Sequence, residues 1–267
     1  MPDALKHEIM VFFTALMFYT RIPCPGWVDH SDSMINKSTR YFSFIGYIVG
    51  GIASVSFLAG NFLFGLYPGI VLSLIASVLT TGAFHEDGFA DTCDGFGGGW
   101  TREKILIIMK DSRIGVYGAI GLVLLFALKI AILSVVLPVQ INQYLVVFLI
   151  LISGNSISRF LSSALIYWLP YARETDDSKS KPVAGSMSIA SLIFSFLIAM
   201  LPFLLLAYFT FNYWVFLSLG PLIYTIYWLG KYFKKWIGGY TGDCLGAAQQ
   251  MAESVFYFSI VAIWRFI

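Results

Sequence analysis

An all-α, polytopic bundle of transmembrane helices is the fold this sequence predicts, and three observations predict it. The 267 residues are 58% hydrophobic and 12% charged, with mean hydropathy +0.78, whereas soluble chains carry about 25% charged residues. Apolar runs recur that match a bilayer core about 30 Å thick, which asks for roughly 20 helical residues because unpaired backbone groups are not tolerated in hydrocarbon. Basic residues gather in alternate connections, as the positive-inside rule requires. The expectation is one integral membrane domain over residues 1–267, with about seven spans plus a short N-terminal interfacial or re-entrant helix.

Taken in order, the apolar stretch 9–19 follows Lys6 and is short for a span. Arg21 and Pro23 stand where a signal peptide would have small cleavage-site residues, so the segment is expected to be retained, lying in the interface or re-entering. Spans are expected near 41–66, 68–84, 117–137, 141–168, 187–209, 211–229 and 247–266. Arg21, Lys37 and Arg40 precede the first, Arg102, Lys104, Lys110 and Arg113 follow the second, Arg173, Lys179 and Lys181 follow the fourth, and Lys231, Lys234 and Lys235 follow the sixth. The alternate connections at Tyr67-Pro68, Pro138-Gln140 and Thr210-Asn212 are uncharged, so 13 of the 17 basic residues fall on one side, the cytoplasmic one.

Twelve of the 15 acids, Glu174, Asp176 and Asp177 among them, fall on that side too. Acids add little to topology, so their concentration points to a working surface there. A net charge of +2 leaves no field to recruit nucleic acid, and three cysteines (Cys24, Cys93, Cys244) without a C-x-x-C pair suggest thiols in a reducing compartment. No internal repeat is evident and the acids lie at span ends, which weighs against a carrier or channel.

The informative segment is His85-Glu86-Asp87-Gly88-Phe89-Ala90-Asp91-Thr92-Cys93-Asp94-Gly95. On a continuing helix, Asp87, Asp91 and Asp94 stand at i, i+4 and i+7 and share one stripe. Like charges so placed need neutralising, and Mg²⁺, bound by a few carboxylates together with substrate phosphates, does this. Glu86 points about a quarter-turn away and is the weaker ligand. Gly88 and Ala90 leave room for a helix or a phosphate to approach. Gly95, Gly97, Gly98 and Gly99 are expected to break the helix. Lys110 and Arg113, in Met109-Lys110-Asp111-Ser112-Arg113, suit a diphosphate, whereas Thr101-Arg102-Glu103-Lys104 reads as a solvated helix start. The glycine-rich turn at 238–246 carries Asp243, a fourth metal candidate. Arg159 falls in the fourth span near its cytoplasmic end and is expected to reach phosphate, and Lys129 in the third span to pair internally or snorkel. His7 and His30 have no recognisable partner.

These residues resemble the cobalamin synthase family, the adenosylcobinamide-GDP ribazoletransferases, over nearly the whole chain. The resemblance rests on Phe18-Tyr19-Thr20-Arg21-Ile22-Pro23, the acidic block, Met109-Lys110-Asp111-Ser112-Arg113-x-Gly115, Tyr171-Ala172-Arg173-Glu174 and Gly239-x-Thr241-Gly242-Asp243-x-Leu245-Gly246-Ala247. Position 86, often apolar in the family, is Glu here, and position 89 is Phe where Leu is common. The resemblance implies a Mg²⁺-dependent transfer in which α-ribazole, or its 5′-phosphate, attacks the cobinamide-side phosphorus of adenosylcobinamide-GDP and GMP leaves. Asp87, Asp91 and Asp94 would be catalytic and, with Asp243, hold the metal, with Asp94 the first choice for the base. Lys110, Asp111, Ser112, Arg113, Arg21, Arg159, Thr241 and Gly242 would bind substrate. A multi-pass protein of the bacterial cytoplasmic membrane, its site facing the cytoplasm, is implied; a homo-oligomer and association with other late cobalamin enzymes stay open. A CDP-alcohol phosphotransferase, the nearest rival, needs two further aspartates and an Ala-Arg pair where this chain has Ala90-Asp91.

Overall fold

The computed structural model describes residues 3–29, 31–137, 143–173 and 187–267. The expectations for His30, the 138–140 connection, Glu174, Asp176, Asp177, Lys179 and Lys181 lie outside the described residues. The chain runs as α1 (Asp3–Tyr19), α2 (Asp32–Ser38), α3 (Phe42–Phe64), α4 (Leu66–Thr81), α5 (Phe84–Gly98), α6 (Arg102–Ile108), α7 (Val116–Val136), α8 (Tyr144–Trp168), α9 (Ile189–Thr210), α10 (Leu219–Ile237) and α11 (Gly242–Phe266). Among the described residues there is no strand beyond a single bridge between Tyr171 and Tyr240. It is an all-helical membrane bundle, as the composition predicts.

Five helical segments are long and apolar enough to cross a membrane, or six if α4 and α5 count as one broken span. The expected seven included α11, which has the length but carries Gln249, Gln250 and Glu253 along its course. Those side chains are buried against neighbouring helices, so α11 satisfies its polar groups on protein rather than lipid. The stretch around 9–19 is α1, a 17-residue helix that packs on α2 and α3 and ties to them through Glu8, which accepts from Arg40 and Tyr41 at 2.8 and 2.9 Å.

α8 is the central helix, with 72% of its apolar window buried, while α7 and α9 bury 28% and turn most of their apolar surface outward, where lipid is the matching solvent. α3 lies against α8 at close range because Gly46 and Gly50 face it: a Cβ at either would come within 2.7 Å of α8 backbone atoms. Small residues at such contacts are how helices associate without a hydrophobic driving force. α11 packs against α5, α7, α8 and α10, and so carries its N-terminus to the acidic helix.

Candidate active site

α5 exists as a separate helix because the chain turns through 90° after α4. Gly82 (φ 67°) and Ala83 (φ 60°) both take the left-handed conformation there. The glycine adopts it freely, but Ala83 does so at a steric cost, which marks a bend held by its surroundings. Arg21 packs against Gly82, and its backbone N–H donates to the Thr80 carbonyl at 2.7 Å, so the exposed Arg21 covers the bend. α4 is the apolar limb of the pair and α5 the polar one.

α5 runs unbroken from Phe84 to Gly98, which places Asp87, Asp91 and Asp94 on the expected stripe. Asp87 is exposed, Asp91 half-buried and Asp94 buried. The helix ends within the expected glycine run, at Gly98 with Gly99 as its extended cap, but the glycines at 95 and 97 do not break it. They lie inside it and make room for neighbours: a Cβ at 95 would meet Met109 at 2.6 Å, and one at 97 would strike the Tyr117 ring.

The fourth carboxylate arrives from α11. A left-handed Gly238 (φ 80°) ends α10, and Tyr240 then exchanges backbone hydrogen bonds with Pro170 and Ala172 at 3.0 and 2.8 Å. The buried Thr241 caps α11, its hydroxyl accepting from the Cys244 N–H at 3.3 Å. Gly242 has open space beside its backbone. Asp243 meets α5 at Gly88, where a Cβ would lie 3.0 Å from the Asp243 Cα and carbonyl oxygen. The room expected at Gly88 is therefore filled by the start of α11.

The four carboxylates have unequal freedom. Both oxygens of Asp94 are engaged, accepting from the Gly115 and Gly118 N–H groups at 2.7 and 2.8 Å. Asp94 thus serves the unpaired donors and positive dipole end of α7. That commitment tells against its being the base. Asp243 accepts from Arg173 at 2.7 Å and from the Thr241 hydroxyl at 3.2 Å. Asp87 and Asp91 make no hydrogen bond or ion pair among the described residues. Burial and then the charges of Asp243, Asp87 and Asp94 push the Asp91 carboxyl up to about 7, only partly opposed by Arg173. Such mutual repulsion is what a hard cation relieves, and carboxylate oxygens are the donors Mg²⁺ takes. Among the described residues no three His, Cys, Asp or Glu side chains form a ready metal cage. Magnesium held by one or two carboxylates and completed by phosphate and water needs none, so the donor set fits it.

Arg173 was not selected as a site residue from the sequence, although it stands in the quoted Tyr171–Glu174 block. Its signal was the acid surplus itself, which demanded a cation without saying which loop supplies it. The Arg173 Nε–H is buried with no hydrogen-bond partner among the described residues, on the side chain that grips Asp243. The run Thr101–Lys104 is an exposed helix start, as expected, and Arg102 does more than meet solvent. It donates to the carbonyls of Ile237 and Ala172 at 3.1 and 2.8 Å and staples α6 to the two loops that build the site.

Downstream, the 109–115 loop borders an open groove of about 570 Å³ lined by Asp94, Lys104, Ile108, Asp111, Arg113 and Tyr117, among others. Arg113 closes a two-pronged pair with Asp111, Nε to Oδ1 at 3.1 Å and Nη2 to Oδ2 at 2.7 Å, and holds that carboxyl down to about 2. Both residues are accessible at the surface, where such pairs open readily. Lys110 and Ser112 are exposed on the same loop.

Arg159 and Lys129 lie elsewhere. Arg159 is 2% exposed and donates to the Asn155 carbonyl and side-chain oxygens at 2.9 and 2.7 Å, so it points into the bundle and not at a surface phosphate. It lies past the middle of α8, nearer the expected cytoplasmic end, but its facing was not legible. Lys129 pairs internally, as one of the two expectations had it, with Glu253 at 2.9 Å and Gln250 at 2.6 Å. Glu86 faces the same interior, accepting from Gln250 at 2.9 Å, which agrees with leaving it outside the metal set.

Comparison with known proteins adds an independent line. The family model described as Cobalamin-5-phosphate synthase matches residues 11–261. Among curated proteins, the adenosylcobinamide-GDP ribazoletransferase of Shewanella frigidimarina (strain NCIMB 400) is 41% identical over 261 residues, covering 96% of this chain and 95% of its own. Those of Leptospira biflexa serovar Patoc and Leptospira interrogans are 39% and 41% identical, covering 96% and 98% of this chain and 97% and 99% of theirs. No solved structure matches the chain.

Proposed function

The chain belongs to the cobalamin-5-phosphate synthase family, and from that premise we propose that it joins adenosylcobinamide-GDP to α-ribazole, or to its 5′-phosphate, with release of GMP. The observation that carries the reading is the division among the acids: Asp87 and Asp91 are uncommitted, and Asp243 faces them with Arg173 in hand.

The acceptor hydroxyl bonds to the cobinamide-side phosphorus, the bond from that phosphorus to the bridging oxygen breaks, and GMP carries the oxygen away. Asp91 is proposed to take the hydroxyl proton, because Asp94 is occupied at α7 and Asp243 by Arg173. Arg173, with its spare Nε–H, and Arg113, released from Asp111, bind non-bridging phosphate oxygens through planar forks. Lys110 and Arg21 add charge at the same end of the molecule, and Thr241 and Gly242 shape the turn beside the diphosphate. Asp87 and Asp91 would hold Mg²⁺, with the Asp243 charge nearby, and the ion would supply neutralisation of the diphosphate when bound. The 570 Å³ groove beside Asp94 has the size of a ligand pocket and is assigned to the nucleotide portion. The site is placed on the cytoplasmic face of a bacterial inner membrane, where the basic loops belong.

The test is incubation of detergent-purified protein with adenosylcobinamide-GDP, α-ribazole 5′-phosphate and Mg²⁺, followed by detection of a cobalamin product and GMP. Both are expected, and both are to be lost with Asp87→Asn and Asp91→Asn while the protein still inserts. Folded wild-type protein yielding neither product removes the assignment.

A further inference from the structure

Beneath the acidic stripe, α3, α4, α5, α7, α8 and α11 enclose a second polar centre that the proposed reaction does not use. Lys129 binds Glu253 and Gln250, and Gln249 donates to Glu253 and to Ser158 at 3.1 and 3.0 Å. Tyr257 donates to the other oxygen of Glu253 at 3.0 Å. After these bonds four polar atoms here have no hydrogen-bond partner among the described residues: Arg159 Nε, His85 Nε2, Glu86 Oε2 and Gln249 Oε1. Their residues are between 1% and 8% exposed, and all four line one cavity of about 20 Å³.

Four orphaned atoms around one small space are not four separate accidents. Leaving a buried donor or acceptor unmade is destabilising, and buried waters are the usual remedy where a cavity is polar and offers roughly 10–15 Å³ or more. The inventory also identifies the occupant. Arg159 Nε–H is a donor, Glu86 Oε2 and Gln249 Oε1 are acceptors, and a neutral imidazole offers Nε2 in either role. Two cationic side chains, Lys129 and Arg159, face two carboxylates, Glu86 and Glu253, so charge is balanced and an ion of either sign would upset it.

We propose that this cavity binds one ordered water molecule. It accepts from Arg159 Nε and from His85 Nε2, and it donates to Glu86 Oε2 and Gln249 Oε1, joining α5, α8 and α11 in a single hydrogen-bonded core. The site stands independently of the transfer reaction.

A high-resolution density map of the full chain, by crystallography or in lipid nanodiscs, tests it directly. One peak is expected in the cavity, within about 2.6–3.2 Å of all four atoms. A cavity without density while the four side chains are well defined overturns the proposal, as do side chains that rotate to bond one another directly. Crystals soaked in bromide and, separately, in rubidium are expected to give no anomalous signal in the cavity, and a signal from either assigns the space to an ion and sinks the water.

Discussion

Asp91→Asn and Asp94→Asn are the same chemical change one turn apart on α5, yet their effects should separate. At Asp94 both oxygens accept backbone N–H groups of α7, so the new amide places a donor against a donor in a buried position. A buried donor left unmade costs about 1–3 kcal/mol, and the midpoint of thermal unfolding in detergent should fall. At Asp91 the change removes a charge that three neighbouring carboxylates repel. The midpoint should hold or rise while turnover disappears, the trade expected where strain serves function. A fall at Asp91 matching that at Asp94 would show the two aspartates to be equivalent structural supports. Arg173→Lys keeps the charge but loses the fork and the spare Nε–H, so kcat should drop about 10-fold or more with insertion unchanged, read from initial rates at saturating substrate. The three-acid stripe was legible because helical spacing alone fixes it. Which acids were free was not, since the partners of Asp94 and Asp243 lie 21 and 70 residues away in sequence.

At the scale of elements, the site depends on the close packing of two helices, tightest for the acids at Gly88. α5 meets the start of α11 at Gly88, and a Cβ there would already sit 3.0 Å from Asp243 backbone. Gly88→Val, with two further methyl groups, must push the elements apart, separating Asp87 and Asp91 from Asp243. Activity should fall by about 100-fold or more, as an ångström of misplacement can cost, while the more tolerant Gly88→Ala should keep part of it. Equal, full activity in both variants would mean that Asp243 works apart from α5. Spacing announced the small residue but not its neighbour. The 90° bend was less legible still, because one of its two left-handed residues is Ala83, a type with no preference for that conformation. The glycines at 95 and 97 misled for the converse reason: composition reads glycine as a break, whereas here Met109 and Tyr117 fill the space that the absent side chains leave.

For the whole molecule, contacts between distant loops make one end of the bundle a single surface. Arg21 lies on Gly82, Gly88 on Asp243, Asp94 on Gly115, and Arg102 on both Ala172 and Ile237. These are the charged connections of the sequence, so the sorting of basic residues by loop and the folding of those loops into one site agree. Of the seven spans expected from hydropathy, α4 qualifies only as a bent pair with α5, and α11 is not among the apolar spans because it carries polar side chains that other helices surround. The proposed sidedness rests on the asymmetry of Lys and Arg, which sets orientation through short loops. A cysteine introduced by Lys110→Cys should therefore react with a membrane-impermeant maleimide only from the cytoplasmic side. One introduced by Phe211→Cys, in the uncharged and exposed turn after α9, should react only from the opposite side. The native Cys24, Cys93 and Cys244 are replaced first so that each label reports one position. Labelling of both positions from the same side would place the acidic site and the turn after α9 on one face, and the proposed orientation would have to be abandoned.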